Sequence, residues 1–185
     1  QVGSLAAQWL IVGRRHPDLL LERSGLGAGV ERSDIPLAVG MAYGPFVAML
    51  MAGLEVRLQG RPEAILIVAI AGVALAVAGI AVTVSAMLAN RYFGPVVRIQ
   101  SERGHEVASD GPYAVVRHPG YVGAILFYVG LPAVLGSWWS VPIMALLIAI
   151  TVVRTAREDR YLRAHLVGYD EYAERVRWRL LPRVW

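Results

Sequence analysis

The sequence predicts an all-α fold, specifically a polytopic integral membrane protein with about five transmembrane helices. Three observations predict it. Hydrophobic residues make up 56% of the 185 positions and charged ones only 17%, below what a soluble domain of this length carries. Uncharged apolar runs are long enough to cross the ~30 Å hydrocarbon core, which takes about 20 helical residues. Alternating the crossings puts every arginine-rich connection on one face.

Ser4 to Val12 reads as the end of a first membrane helix. Residues 1–33 are then that end plus a polar connector. Residues 34–90 hold two transmembrane helices, Ile35–Leu54 and Ala64–Ala89. Pro45 lies inside the first of these, so a kink is expected there, with a neighbour satisfying the freed carbonyl. Gly40 and Gly44 are spaced for close helix approach, a weak signal that plain packing explains equally well. Residues 91–185 form a third region, in which Pro119–Val153 is uncharged but far too long for one straight crossing. The turn-rich "GSWWSVP", Gly136 to Pro142, splits it into a helical hairpin with Trp138 and Trp139 at the interface. The second arm runs on without a breaker into "RTAREDRYLRAHL", so its helix leaves the membrane and lifts Arg154, Arg157, Glu158 and Asp159 above the lipid.

Loop charge sets the orientation. Arg14, Arg15, Arg23 and Arg32 precede the Ile35 helix; Arg91, Arg98, Arg103 and Arg117 fill the Asn90–His118 connector; the tail is rich in arginine. All fall on one face, which the positive-inside rule makes cytoplasmic. The net charge of +4 belongs to these loops, and no nucleic-acid partner is expected. There is no cysteine, which removes disulfides, thiolate metal sites and a cysteine nucleophile.

The chemistry-bearing residues cluster at that face: His105, Tyr113, Arg117, His118 and Tyr121 in or beside the connector, Arg154 and Glu158 on the emergent helix. Ionisable groups at membrane depth usually face a cavity or a partner. Two readings stay open for Arg154 and Glu158, which share a helical face: a mutual surface pair, or working groups. His118 before Pro119 reads equally as the start of a helix. No metal-ligand spacing is present and no metal is proposed. "GLGAG", Gly25 to Gly29, follows no strand, which disfavours a Rossmann site.

The order "GPYAVVRHPGYVG", apolar hairpin, Arg154, "EDRYL" and "GYDEYAERVRWRLLP" resembles the isoprenylcysteine carboxyl methyltransferase family. That family is related to the phospholipid methyltransferases, integral membrane enzymes that use S-adenosylmethionine. The resemblance covers roughly Asn90 to the end, and "RRHPDLLLERSG…ERSD" resembles a segment of bacterial members. It implies that cofactor contacts come from His105, Glu106, Val107 and Ala108, from Tyr113, from His118, Pro119, Gly120 and Tyr121, and from Glu158. It also implies that Arg154 faces a lipophilic acceptor and acts catalytically. The family's second glutamate is Asp159 here, and a glutamine of eukaryotic members is Arg98, so neither contact is carried over. The expected function is S-adenosylmethionine-dependent methyl transfer to a lipophilic acceptor, a carboxylate by preference, at the cytoplasmic interface. The alternatives are phospholipid N-methyl transfer, an NADPH-dependent sterol-type reductase, and a non-catalytic adaptor. The oligomeric state is left open.

Overall fold

The computed structural model describes residues 12–15, 30–60 and 65–185. The expected membrane-helix end before Val12 and the glycine-rich Gly25–Gly29 stretch lie outside them.

Among the described residues every regular element is helical. A 3-10 turn, Arg32–Asp34, leads into α1, Ile35–Gln59; α2 is Leu66–Ala89, α3 Pro119–Leu135, α4 Ser140–His165 and α5 Tyr169–Arg175. Three segments are long and apolar enough to cross a membrane: Arg32–Gln59, Leu66–Ala89 and Ser140–His165. The 24 residues of α2 span about 36 Å at 1.5 Å per residue. α3 is a shorter apolar helix of 17 residues. The molecule is thus a polytopic membrane protein, as its sequence predicts.

Prolines and glycines set the helix ends. Pro36 and Pro119 sit in the first turns of α1 and α3, where the missing N–H has no partner to lose. Gly60, Gly136 and Gly168 take positive φ at or beyond helix ends, where a side chain would be strained. The hairpin break is tighter than the sequence suggests. α4 restarts at Ser140, so Pro142 lies in its first turn and not in the loop. The reason is local: Ser137 Oγ accepts from the Ser140 N–H at 3.2 Å and so opens the helix early.

Pro45 is buried within α1, which stays helical through it. Proline removes the N–H that would bond the carbonyl four residues back. That carbonyl, on Met41, accepts from the Tyr128 hydroxyl of α3 at 3.3 Å. The neighbour expected to satisfy it is present.

Small residues decide how the helices approach. A Cβ on Gly79 would lie 2.5 Å from the Gly123 carbonyl, and one on Gly72 would lie 2.8 Å from that of Gly130. α2 and α3 therefore meet backbone to backbone, the close contact small residues permit in membranes. A Cβ on Gly44 would lie 2.5 Å from the Leu147 side chain of α4, whereas one on Gly40 would meet Ile150 at 3.7 Å. One of the two spaced glycines is thus a tight contact and the other is not. Ala48, Tyr128, Leu131, Met144 and Leu147 form the core shared by α1, α3 and α4.

The connector from Asn90 to His118 is irregular apart from two short 3-10 turns, so its polar backbone needs other partners. Gln100, 1% exposed, donates to the Tyr92 carbonyl at 2.8 Å and accepts from Arg103. The C-terminal tail packs along the connector: the N–H groups of Arg117 and His118 donate to the carbonyls of Trp178 and Arg179 at 2.8 and 3.0 Å.

Candidate functional site

At the end of the bundle where α1 and α3 begin and α2 ends, connector, helices and emergent α4 enclose a cavity of about 600 Å³. His105, Glu106, Val107, Ala108, Tyr113, His118, Gly120, Tyr121, Arg154 and Glu158 all border it. The ring-rich hinge and the emergent helix thus converge on one chamber. Pro119 does not border it. Pro119 is buried as the first residue of α3 and serves the helix start. Gly120 works by size: a Cβ there would lie 2.6 Å from the Phe93 ring.

Arg154 and Glu158 do not pair with each other. Arg154 is 6% exposed, and its Nε and Nη2 donate to the two carboxylate oxygens of Asp34 at 2.7 and 2.8 Å. Nη2 also donates to the Pro95 carbonyl at 2.7 Å. The guanidinium carbon lies 5.6 Å from the centre of the Tyr121 ring. Glu158 is half-buried and accepts from the Tyr121 hydroxyl. The shared helical face is real, but each group finds its partner on another element.

Asp159 is the hub of the chamber roof. It is 0% exposed and accepts from Arg117 Nε at 2.7 Å, Arg179 Nε at 2.9 Å and the Tyr169 hydroxyl at 3.1 Å. His118 Nε2 stands 3.4 Å from the same carboxylate, and the His118 ring stacks on Tyr121 with centroids 5.8 Å apart. A carboxylate this buried is tolerable because so many donors converge on it. Its work is to pin the connector and tail onto α4, so its side chain serves the chamber from behind.

The floor is aromatic. Tyr113 accepts from Asn90 Nδ2 at 3.2 Å, and the Tyr172 hydroxyl donates to the Tyr113 carbonyl at 2.7 Å. Burial pushes the Tyr113 phenol above its ordinary value, and the nearby Glu158 charge adds to this. It is therefore a neutral hydroxyl at any physiological pH. His105 stacks on Tyr92 with centroids 4.4 Å apart. Burial first, then the charges of Arg103 and Arg98, lower its imidazole from 6.5 to about 4. The neutral ring accepts from the Gln100 N–H at Nδ1, 3.2 Å away. Beside it, the backbone of Glu106, Val107 and Ala108 has no backbone hydrogen-bond partner among the described residues.

The chamber has two characters. One side carries Glu158, Tyr113 and the exposed Glu106. The other is walled by α1 through Ile35, Ala38, Val39 and Tyr43. Val39 and Tyr43 are 50% and 64% exposed, so this wall reaches the apolar outer surface of α1. Arg154 lies between the two sides.

Sequence reasoning did not single out Asp34 as a site residue. Its signal is a lone carboxylate immediately before an apolar run, and nothing local says that it reaches 120 positions along the chain. Asn90, Tyr128, Tyr169 and Tyr172 also border the chamber without any distinguishing pattern.

Fold and site together define a class: a polytopic membrane protein with a chamber, polar on one side and apolar on the other, at one end of its bundle. The chain belongs to the phospholipid methyltransferase family, whose profile matches residues 67–166, more than half of its length. It is 33% identical over 94 residues to protein-S-isoprenylcysteine O-methyltransferase B of Arabidopsis thaliana, covering 48% of this chain and 46% of that one. It is 32% identical over 95 residues to the protein-S-isoprenylcysteine O-methyltransferase of Schizosaccharomyces pombe, covering 50% of this chain and 40% of that one. A cobalt-zinc-cadmium resistance protein of Cupriavidus metallidurans is 35% identical over 81 residues, 42% of this chain and 37% of its own. The chain thus spans under half the length of these curated relatives.

Proposed function

We propose that this protein transfers a methyl group from S-adenosylmethionine to a lipophilic carboxylate at the cytoplasmic boundary of the membrane. The observation that carries the reading is the single chamber in which a polar, ring-lined side and a membrane-facing apolar wall meet at Arg154. When bound, S-adenosylmethionine supplies a sulfonium methyl that a carboxylate oxygen takes by displacement, the C–S electron pair returning to sulfur, with no proton to move.

The residues present fit such a molecule. Glu158 would hold its ammonium by a charge-assisted bond, and the free backbone strip at Glu106–Ala108 would take its polar edges. Tyr113 offers a ring face to a cation, worth on the order of 0.5–2 kcal/mol, and the Tyr121 hydroxyl holds Glu158 in place. His118 and Gly120 complete that wall, with Pro119 starting the helix behind them. Arg154 orients the acceptor carboxylate, while the packed roof excludes water; positioning, not acid–base chemistry, is the catalytic contribution.

An amine acceptor needs a base to deprotonate it. The carboxylates nearest Arg154 are engaged: Asp34 by Arg154 itself and Glu158 by Tyr121. That supports an acid over a phospholipid amine. The family match supports methyl transfer over an NADPH-dependent reductase.

Calorimetry of the detergent-purified chain with S-adenosylhomocysteine tests the site. Wild type is expected to bind, and Glu158→Gln to bind about tenfold more weakly, the effect of removing one charge-assisted bond. Unchanged affinity in Glu158→Gln and in Tyr113→Phe alike would overturn the proposed cofactor pocket. Labelled-methyl transfer to N-acetyl-S-farnesylcysteine, compared with transfer to a phospholipid extract, tests the acceptor class.

A further inference from the structure

We propose that Asp34 is a positioning residue that aims Arg154, leaving one edge of the guanidinium, Nη1, to meet the acceptor. This rests on the reading of Arg154 given above. Aspartate at a helix N-terminus ordinarily caps the backbone, but the Asp34 side chain makes no capping bond in α1. Instead both of its oxygens face Arg154, and the second also accepts from the Val97 N–H at 2.9 Å.

A guanidinium has five N–H donors in a rigid plane. Nε–H goes to Asp34 and the two Nη2 hydrogens to Asp34 and Pro95. Among the described residues Nη1 meets the Met41 sulfur alone, 3.7 Å away, a weak acceptor. The guanidinium carbon also lies over the Tyr121 ring, 5.6 Å from its centre. The orientation is therefore set from three directions by α1, the connector and α3. An acceptor carboxylate meeting Nη1 is held by one oxygen, and the other keeps its lone pairs clear for reaction. Two-point chelation by Arg154, which would tie up both oxygens, is prevented because Asp34 occupies the Nε–Nη2 edge and the Pro95 carbonyl takes the Nη2 hydrogen that end-on chelation would need.

Asp34 is itself fixed. It is 4% exposed, and the turn that carries it is laced to the connector: the Glu31 N–H donates to the Val97 carbonyl at 3.0 Å, and the Asp34 N–H to the Glu31 carbonyl at 2.9 Å. The turn that carries Asp34 is thus tied to the same connector whose Pro95 carbonyl accepts from Arg154.

The test is phenylglyoxal modification of each arginine, read by peptide mass spectrometry on the full chain in detergent. Wild type, Asp34→Asn and Asp34→Glu are compared, with S-adenosylhomocysteine calorimetry run on each. In wild type, Arg154 should react slowly, like Arg117, which is bound to Asp159, and unlike the exposed Arg157. Asp34→Asn should raise the Arg154 rate about tenfold, leave Arg117 unchanged and leave S-adenosylhomocysteine affinity within about twofold; Asp34→Glu should restore part of the protection. Acceptor kcat/KM should fall about tenfold in Asp34→Asn with the cofactor KM unmoved.

The proposal is overturned by an unchanged Arg154 rate, by a rise at Arg117 alongside it, or by wild-type Arg154 reacting like Arg157. Loss of S-adenosylhomocysteine binding in Asp34→Asn would also overturn it, since the pair would then hold the fold and not aim the arginine. Failure of wild type to methylate N-acetyl-S-farnesylcysteine would count against the carboxylate reading alone, because the modification rates decide the role of Asp34 without turnover.

Discussion

Helix α1 buries a carboxylate near each end, and the two are used in opposite ways. Asp34, at the chamber end, pairs with a charged partner, Arg154, beside a large cavity. Glu55, 5% exposed at the other end, takes neutral donors: the Ser137 hydroxyl and the Trp139 N–H at 3.2 Å. No residue of that second cluster borders the cavity. Glu55 clasps α1 to the turn between α3 and α4, whose opening N–H groups would otherwise lack partners. The same residue class in the same helix is a fastening at one end and a charge-bearing part of a site at the other. Burial of a carboxylate therefore does not mark function; a charged partner beside empty space does.

The comparison can be broken most forcefully at Arg154. Arg154→Ala is expected to lower turnover by about a hundredfold or more, as loss of an orienting group does, with S-adenosylhomocysteine affinity retained by calorimetry. Removing the arginine also strands Asp34, so a fall in the thermal midpoint should accompany it. Unchanged turnover would remove its proposed role.

At the opposite end a smaller and purely structural effect is expected. Glu55→Ala leaves the Ser137 hydroxyl and the Trp139 N–H without their acceptor, so the thermal midpoint should fall. The measurement is thermal unfolding in detergent, and turnover per folded molecule should match wild type. A turnover defect at full stability would mean that the clasp communicates with the chamber, and the contrast between the two ends would fail.

The smallest effect concerns pH. The His105 value in the folded chain, about 4, lies below its ordinary 6.5, so the unfolded chain takes up a proton first as pH falls. The stability His105 contributes is complete above pH 6.5 and is lost as the pH falls from there toward 4. Thermal midpoints measured across that window should drop less in His105→Gln than in wild type. Parallel curves would show that the imidazole is not held neutral by its setting.

Much of this was legible before any coordinates. Uncharged runs, proline positions and arginine asymmetry are local properties, and they delimit the crossings because lipid punishes any charge or open backbone within them. The contacts expected between His105 and Tyr121, with Arg154 and Glu158, were likewise readable from the order of short motifs, with Pro119 the one expected contact that stays behind the chamber wall. What stayed hidden has a common physical character. The glycine contacts between α2 and α3 depend on which faces of two uniformly apolar helices meet, and uniform apolarity carries no directional signal. Asp159 as the anchor of Arg117, His118 and Arg179 draws together groups from the connector and the tail, two distant parts of the chain.

By itself, then, the sequence determined the helices, their approximate limits and the candidate groups of the site, because propensity, hydrophobic length and motif order act over short separations. Only the tertiary structure decided which charge each group meets. Arg154 has a carboxylate four positions away and takes one 120 positions away instead, because bidentate geometry in a buried niche outweighs proximity along a helix.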